Sequence, residues 1–194
     1  MSESGRDNAE ATPTAPRRRL PGDLTRAERL ARVIRVDHAG EYGAVRIYEG
    51  QLAVLRRGPA VRAIRAMAVK ERAHLAKFDK LVVERGVRPT ALSPLWHVAG
   101  FALGAASALL GTRAAMACTV AVEEVIDEHY RDQAEAIADD EPALAATIDD
   151  FRHDEVEHGE TAKTYGALDT PLYEGISAVV KAGSRLAIWL STRI

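Results

Sequence analysis

Apolar side chains recur every three or four positions along most of the chain after residue 22, which is the period of an amphipathic helix. The first helix is expected to begin at the capping box Thr25-Arg26-Ala27-Glu28. Its core-facing stripe consists of Leu30, Ile34, Asp37, Glu41, Ala44, Tyr48, Leu52 and Leu55. Glycine and proline residues near positions 58, 86, 111, 142 and 166 divide the remainder into further helices. The pattern therefore predicts an all-helical fold.

One predicted helix differs from the others because it carries no charge. Residues 95–111, LWHVAGFALGAASALLG, are too few for a comfortable membrane span. A buried core helix and a helix at a membrane interface remain as alternatives. A further helix is predicted over residues 172–190, and Trp189 near its end is a candidate interface anchor.

Composition narrows the class of protein. The chain has 194 residues, of which 47% are hydrophobic and 28% charged, as expected for one globular domain over residues 23–194. Residues 1–22 mix Ser, Thr, Pro and charged residues without periodicity and are predicted to be a disordered tail. A net charge of −2 gives no reason to expect nucleic acid as a partner. Cys118 is the only cysteine, which excludes a disulfide framework.

Two Glu-x-x-His pairs stand within apolar stripes. Glu71 and His74 follow Met67, while Glu155 and His158 follow Phe151, at helical spacing. Positions i and i+3 share one helix face, so each carboxylate and imidazole could bind the same ion. Ionisable groups on a core-facing stripe are costly unless they are paired or bind metal. The pairs therefore indicate a buried metal site.

Each pair is preceded by a further in-phase glutamate. Glu41 comes before the first pair and Glu123 before the second, whereas Glu124 is about 100° out of phase with the stripe. One Glu from each of two helices and Glu-x-x-His from each of two others form the ligand set of a ferritin-like di-iron or di-manganese bundle. A duplicated helical hairpin with six ligands is therefore predicted. Gly40 and Gly43 flank Glu41, which suggests close approach by another backbone or by a ligand.

Several longer strings resemble one known family. They are RVDHAGEYGAVRIYEGQ (35–51), RPTALSPLWHVAGFALGAASALLG (88–111), AMACTVAVEE (115–124) and DEVEH (154–158). In this order they closely resemble the demethoxyubiquinone hydroxylases of ubiquinone biosynthesis, over about residues 24–194. The resemblance implies a ferritin-like four-helix bundle with a di-iron core, an additional membrane-interacting helical segment and a C-terminal helix.

The resemblance also implies an activity and its cofactors. The expected reaction is O2-dependent hydroxylation of the ring of a demethoxyubiquinol-type polyprenyl quinone. The resemblance implies two iron ions. No glycine-rich Rossmann fingerprint is present, so the electrons must come from outside the chain, and the resemblance implies NADH as a possible reductant. Carried over position by position, Glu71 and Glu155 match the bridging carboxylates. Glu41 and His74 would complete one iron site, and Glu123 and His158 the other.

The remaining expectations concern binding partners and the residues that support the metal ligands. Peripheral binding to the cytoplasmic side of the cell membrane is expected, with membrane lipid as a partner. Two further partners are possible: a second copy of the chain in a homo-oligomer, or an accessory protein that presents the quinone. Tyr130, on the face of Glu123, is the first candidate to support the ligands, ahead of Asp37 and His129. Two other functions remain as alternatives: a ferritin-like iron-oxidising or iron-storage protein, and a metal-free helical module that binds lipid or a partner helix.

Overall fold

The computed structural model describes residues 22–171 and 173–194, and within them the chain forms six helices and no strand. Their bounds are α1 Arg26–Val54, α2 Pro59–Glu84, α3 Ser93–Leu109, α4 Thr112–Ile137, α5 Pro142–Thr164 and α6 Tyr173–Ser191. The predicted all-helical class is confirmed. The predicted disordered tail lies outside the described residues except for Gly22.

Local sequence explains where the helices begin and end. At the start of α1, the Thr25 hydroxyl accepts a hydrogen bond from the Glu28 amide at 3.1 Å, and the Glu28 carboxylate accepts one from the Thr25 amide at 2.7 Å. Between α3 and α4, Gly111 has φ of 109°, a conformation that side chains disfavour. The predicted break at this glycine is confirmed.

Two hairpins build the central bundle. The helices α1 and α2 form one hairpin and α4 and α5 the other, while α3 packs against α1 and α6 packs against α4. One apolar cluster of the core contains Tyr48, Ile64 and Met116, and a second contains Phe78 and Tyr130. Tyr48 and Tyr130 reach from these two clusters towards the same group of buried polar side chains.

The contact between α1 and α3 depends on glycines. A Cβ on Gly104 would lie 1.9 Å from the carbonyl oxygen of Ile47, and one on Gly50 would lie 2.2 Å from the carbonyl oxygen of Phe101. These two backbones therefore pack more closely than any side chain at those positions would permit. A Cβ on Gly40 or Gly43 would instead meet no atom within 4 Å.

The helix α3 lies on the surface of the bundle. Its buried residues are Gly104, Ser107 and Ala108, while Leu95, Val98 and Leu109 are exposed. The alternative of a buried core helix is therefore wrong. Among the helices of residues 22–171 and 173–194, none combines the length and apolar character needed to cross a bilayer.

Candidate metal centre

The structure brings the six residues selected from the sequence together in the bundle. Each is at most 4% exposed: Glu41, Glu71, His74, Glu123, Glu155 and His158. They form two overlapping groups in which one ligand atom per residue lies within 4.8 Å of the others. The first group is Glu41, Glu71, His74 and Glu155, and the second is Glu71, Glu123, Glu155 and His158. Glu71 and Glu155 belong to both.

Glu155 is the centre of the cluster. One of its oxygens lies 3.1 Å from Nδ1 of His74, and the other lies 3.2 Å from Nδ1 of His158. Nδ1 of His158 also lies 3.0 Å from a Glu71 oxygen, and Nδ1 of His74 lies 3.7 Å from a Glu41 oxygen. Both histidines therefore present Nδ1 to the carboxylates. The i,i+3 spacing within α2 and α5 produces this arrangement from both hairpins.

Two buried tyrosines hold the outer glutamates. Tyr48 donates a hydrogen bond to Glu123 at 2.8 Å, and Tyr130 donates one to Glu41. Each tyrosine lies seven residues after the glutamate of its own helix and reaches across to the glutamate of the other hairpin. Tyr130 was selected from the sequence, whereas Tyr48 was placed only in the apolar stripe. Its matching position seven residues after Glu41 was the signal that could have identified it.

Asp154 is a second residue that sequence reasoning missed. Its Oδ2 lies 3.0 Å from Nε2 of His74, and its Oδ1 accepts a hydrogen bond from Lys70 at 2.7 Å. Its position immediately before Glu155 was the available signal. Asp37 and His129, the weaker candidates, pair with each other at 3.5 Å. The structure gives neither of them a hydrogen bond to any of the six clustered residues.

The remaining candidates point elsewhere. Glu124 is half-buried and pairs with Lys181 of α6, whereas Glu123 is buried in the cluster. This difference agrees with the prediction that Glu123 is the ligand. His38 pairs with Asp79 at 2.9 Å, and His97 with the hydroxyl of Tyr42 at 2.6 Å.

Burial strongly perturbs the ionisation of the cluster. Desolvation raises the pKa of Glu71 and of Glu123 well above the ordinary value, and repulsion from Glu155 adds to it. Although burial opposes its charge, hydrogen bonds with His158 and His74 lower the pKa of Glu155 to about 2. Burial also opposes charge on His74, but hydrogen bonds with Glu155 and Glu41 raise its pKa to about 10. Ionising all four carboxylates together is costly unless cations are bound.

The donor set fits metal ions. Glu41 Oε2 and Glu71 Oε1 are buried without hydrogen-bond partners among the described residues, although such atoms are rarely left unpaired. Four carboxylates and two imidazoles match the preferences of divalent iron or manganese. Two divalent cations would balance the four negative charges. The cluster is therefore able to bind metal at two overlapping positions.

An apolar cavity lies between four of the helices. It has a volume of about 410 Å³ and is lined by residues of α1, α3, α4 and α6. Gly40 and Gly43 form part of its wall, which explains the open space beside them. Ala44 and Ile126 also line it, and each lies one turn after a clustered glutamate of its helix. The cavity therefore lies along the two helices that carry Glu41 and Glu123, although none of the six clustered residues lines it.

Comparison with known proteins identifies a family. The family model of ubiquinone biosynthesis protein COQ7 matches residues 28–191. A 3-demethoxyubiquinol 3-hydroxylase from Rhodospirillum rubrum is 55% identical over 195 residues, which cover 100% of this chain and 89% of that protein.

Eukaryotic proteins are also similar. A mitochondrial NADPH-dependent 3-demethoxyubiquinone 3-hydroxylase from Homo sapiens is 49% identical over 167 residues, covering 84% of this chain and 77% of that protein. A mitochondrial 5-demethoxyubiquinone hydroxylase from Saccharomyces cerevisiae is 40% identical over 182 residues, covering 85% of this chain and 78% of that protein.

Proposed function

This chain belongs to the family of ubiquinone biosynthesis protein COQ7, and from this premise we propose that it hydroxylates the ring of a demethoxyubiquinol-type polyprenyl quinone with O2. The buried cluster of four glutamates and two histidines carries the proposal. One oxygen atom replaces hydrogen at a ring carbon as a hydroxyl group, and the other leaves as water. The reaction consumes two electrons and two protons.

The metal centre would hold two iron ions. Glu41 and His74 would bind one of them, Glu123 and His158 would bind the other, and Glu71 and Glu155 would be shared between the two. Contact of Glu155 with both histidines supports its bridging role. When bound, the two irons supply the redox chemistry that activates O2. Burial of the cluster excludes bulk water, which protects the reaction from competing hydrolysis and proton leakage.

The tyrosines support the outer ligands. Each fixes one oxygen of a glutamate by donating a hydrogen bond, so the other oxygen is free to face a metal ion. Tyr130 acts through Glu41 and is therefore a positioning residue of the centre. Burial raises the pKa of Tyr130, which keeps its hydroxyl protonated and able to donate.

The apolar cavity is the proposed quinone site. Its volume of about 410 Å³ lies within the range of small-molecule sites. Lining by aliphatic side chains suits a methylated ring and the first isoprene units. The glycine wall at Gly40 and Gly43 leaves room for the ring beside the metal centre.

The helices α3 and α6 are the part of the cavity wall that faces the membrane. Both line it and both expose large apolar side chains, among them Leu109 at 74% and Val179 at 73%. Trp189 of α6 is 52% exposed, as an interface anchor would be. The protein therefore binds the cytoplasmic face of the cell membrane peripherally and takes its quinone from the bilayer.

The reductant is a nicotinamide dinucleotide. The sequence favours no choice between NADH and NADPH, and several mitochondrial relatives are named for NADPH. Rates with each cofactor, measured on the iron-loaded chain with a demethoxyubiquinol, distinguish the two.

A deletion strain tests the activity. Without the gene, a demethoxy precursor should accumulate in the quinone pool measured by mass spectrometry. The intact gene should clear it, and a Glu155→Ala copy should not, because that change removes the carboxylate between the two histidines. Glu157→Ala is the matched control, since Glu157 is an exposed glutamate of the same helix. Clearance by the Glu155→Ala copy would reject the proposed function.

A further inference from the structure

The two histidines of the cluster differ in what holds their second ring nitrogen. Nε2 of His74 lies 3.0 Å from Oδ2 of Asp154 on α5. The same ring stacks on Phe151, with ring centroids 3.9 Å apart. Nε2 of His158 is buried and has no hydrogen-bond partner in the described part of the chain. Only the His74 ring is therefore fixed through its outer nitrogen.

Asp154 is itself held by a lysine. Nζ of Lys70 lies 2.7 Å from Oδ1 of Asp154, which leaves Oδ2 for His74. Lys70 also contacts Glu157 at 2.8 Å. Charge-assisted hydrogen bonds of this kind are roughly twice as strong as neutral ones. The chain from Lys70 through Asp154 to His74 therefore crosses from α2 to α5 and back.

The difference between the histidines originates in the sequence. The two hairpins repeat the same ligand pattern, but the first reads KERAH and the second DEVEH. Asp154 precedes Glu155 in the second hairpin, and Lys70 occupies the matching place before Glu71 in the first. A lysine ammonium group has only donors, so it cannot accept the N–H of a histidine. The two hairpins together thus supply an acceptor for only one of the two histidines.

An acceptor behind a metal-binding histidine affects metal affinity. It fixes the ring orientation and tautomer and makes the metal-facing nitrogen more basic. Removal of such a group typically weakens metal binding by about 10-fold to 100-fold. A histidine without an acceptor lacks this contribution.

We propose that Asp154 is a positioning residue for His74, and that the metal site of Glu41 and His74 consequently binds its ion more tightly than the site of Glu123 and His158. The inference rests on the metal centre of the proposed function. It goes beyond that function by making the two sites unequal and by assigning the inequality to Lys70 and Asp154.

Single-site variants separate the two positions. Metal-free full-length protein is titrated with Co(II), which accepts the same carboxylate and imidazole ligands. Glu123→Ala retains the His74 site, and Glu41→Ala retains the His158 site. We expect the wild type to bind two ions in two steps, and Glu123→Ala to bind its ion more tightly than Glu41→Ala.

Asp154→Ala is then introduced into each background. In Glu123→Ala it should weaken Co(II) binding by about 10-fold to 100-fold, because His74 loses its acceptor. In Glu41→Ala it should change the affinity little. Asp154→Asn retains an oxygen acceptor and should recover part of the loss. Glu157→Ala removes the other partner of Lys70 without touching either histidine and should leave both affinities unchanged.

Three results would overturn the inference. They are equal affinities in the two backgrounds, tighter binding at the His158 site, and an equal effect of Asp154→Ala on both sites. The third result would mean that Asp154 only maintains the fold, which the melting temperatures of the metal-free variants report independently. A wild type that binds fewer than two ions would reject the proposed metal centre itself.

Discussion

At the scale of single residues, hydrogen bonds to the carboxylates set the geometry of the cluster. Tyr48 and Tyr130 each occupy one oxygen of an outer glutamate and come from opposite hairpins. A buried carboxylate that loses such a donor cannot recover the bond from water. The tyrosines should therefore contribute to stability independently of any metal.

Tyr130→Phe tests this contribution. The variant removes the hydroxyl that donates to buried Glu41, so the free energy of unfolding of the metal-free protein should fall by about 1–3 kcal/mol. Chemical denaturation measures the change. Tyr165→Phe is the control, because its hydroxyl has no hydrogen bond to another described residue. Equal stability of the two variants would contradict the role of Tyr130.

Hydrophobic periodicity predicted the six clustered residues, but it could not predict the residues that form hydrogen bonds to them. Glu41, Glu71 and Glu123 lie on core-facing stripes, and a stripe can be derived from spacing within one helix. The bonds of Asp154 to His74 and of Tyr48 to Glu123 cross between helices. Such contacts depend on how the helices are rotated and shifted against each other, which the spacing within one helix does not specify.

At the scale of helices, the contact between α1 and α3 depends on glycines, which have no side chain to keep the two backbones apart. The closest approach joins Gly104 to the carbonyl oxygen of Ile47, where a Cβ would lie at 1.9 Å. A methyl group there forces the two backbones apart, and α3 forms part of the cavity wall. Helix separation should therefore affect both stability and the cavity.

Gly104→Ala should lower the free energy of unfolding by about 1–3 kcal/mol or more, because overpacking displaces α3. Urea denaturation measures the loss. Gly175→Ala in α6 is the matched control: its Cβ meets no atom within 4 Å, and alanine should stabilise that helix by up to about 1 kcal/mol. A neutral Gly104→Ala would show that α3 does not pack as described.

The glycine wall of the cavity gives a separate prediction about substrate binding. Gly43→Leu places a large side chain in open space within the proposed quinone site. The KM for a demethoxyubiquinol should rise at least about 10-fold, as expected when about 1.4 kcal/mol of binding is lost. Iron content should stay the same, and the melting temperature should not fall, because leucine favours the helix more than glycine does.

Gly43→Ala controls for the change in helix propensity, since its single Cβ meets nothing within 4 Å. It should bind the quinone almost as well as the wild type. An unchanged KM in Gly43→Leu would place the quinone outside this cavity.

Helix boundaries were predictable because their signals are local. The capping box at Thr25 and the break at Gly111 both appear in the structure. The place of α3 was not predictable, because an uncharged segment fits both a protein core and a lipid surface. The close packing of α3 on α1 at Gly50 and Gly104 decides the position of α3, because this packing leaves the other face of α3 exposed.

At the scale of the whole molecule, α3 and α6, two of the helices that line the cavity, both expose large apolar side chains. Leu95, Val98 and Leu109 lie on α3, and Val179 and Leu186 lie on α6. Large exposed apolar patches commonly mark interaction or membrane-binding surfaces. The proposed function assigns this surface to contact with lipid.

Flotation with phospholipid vesicles tests this surface. The double variant Leu109→Glu and Val179→Glu should largely lose vesicle binding, since each burial of a charge in lipid costs several kcal/mol. Val83→Glu is the control, because Val83 is 79% exposed but belongs to α2. Equal flotation of the double variant and the wild type would exclude this surface as the membrane contact.

The isotopic origin of the new hydroxyl group tests the central claim most directly. Iron-loaded chain is supplied with a demethoxyubiquinol, a reduced nicotinamide and ¹⁸O₂, and the product is analysed by mass spectrometry. The ring hydroxyl should carry ¹⁸O, because the proposed reaction inserts one atom of O2 into the quinone ring. A hydroxyl derived from water, or consumption of O2 without any hydroxylated quinone, would contradict it.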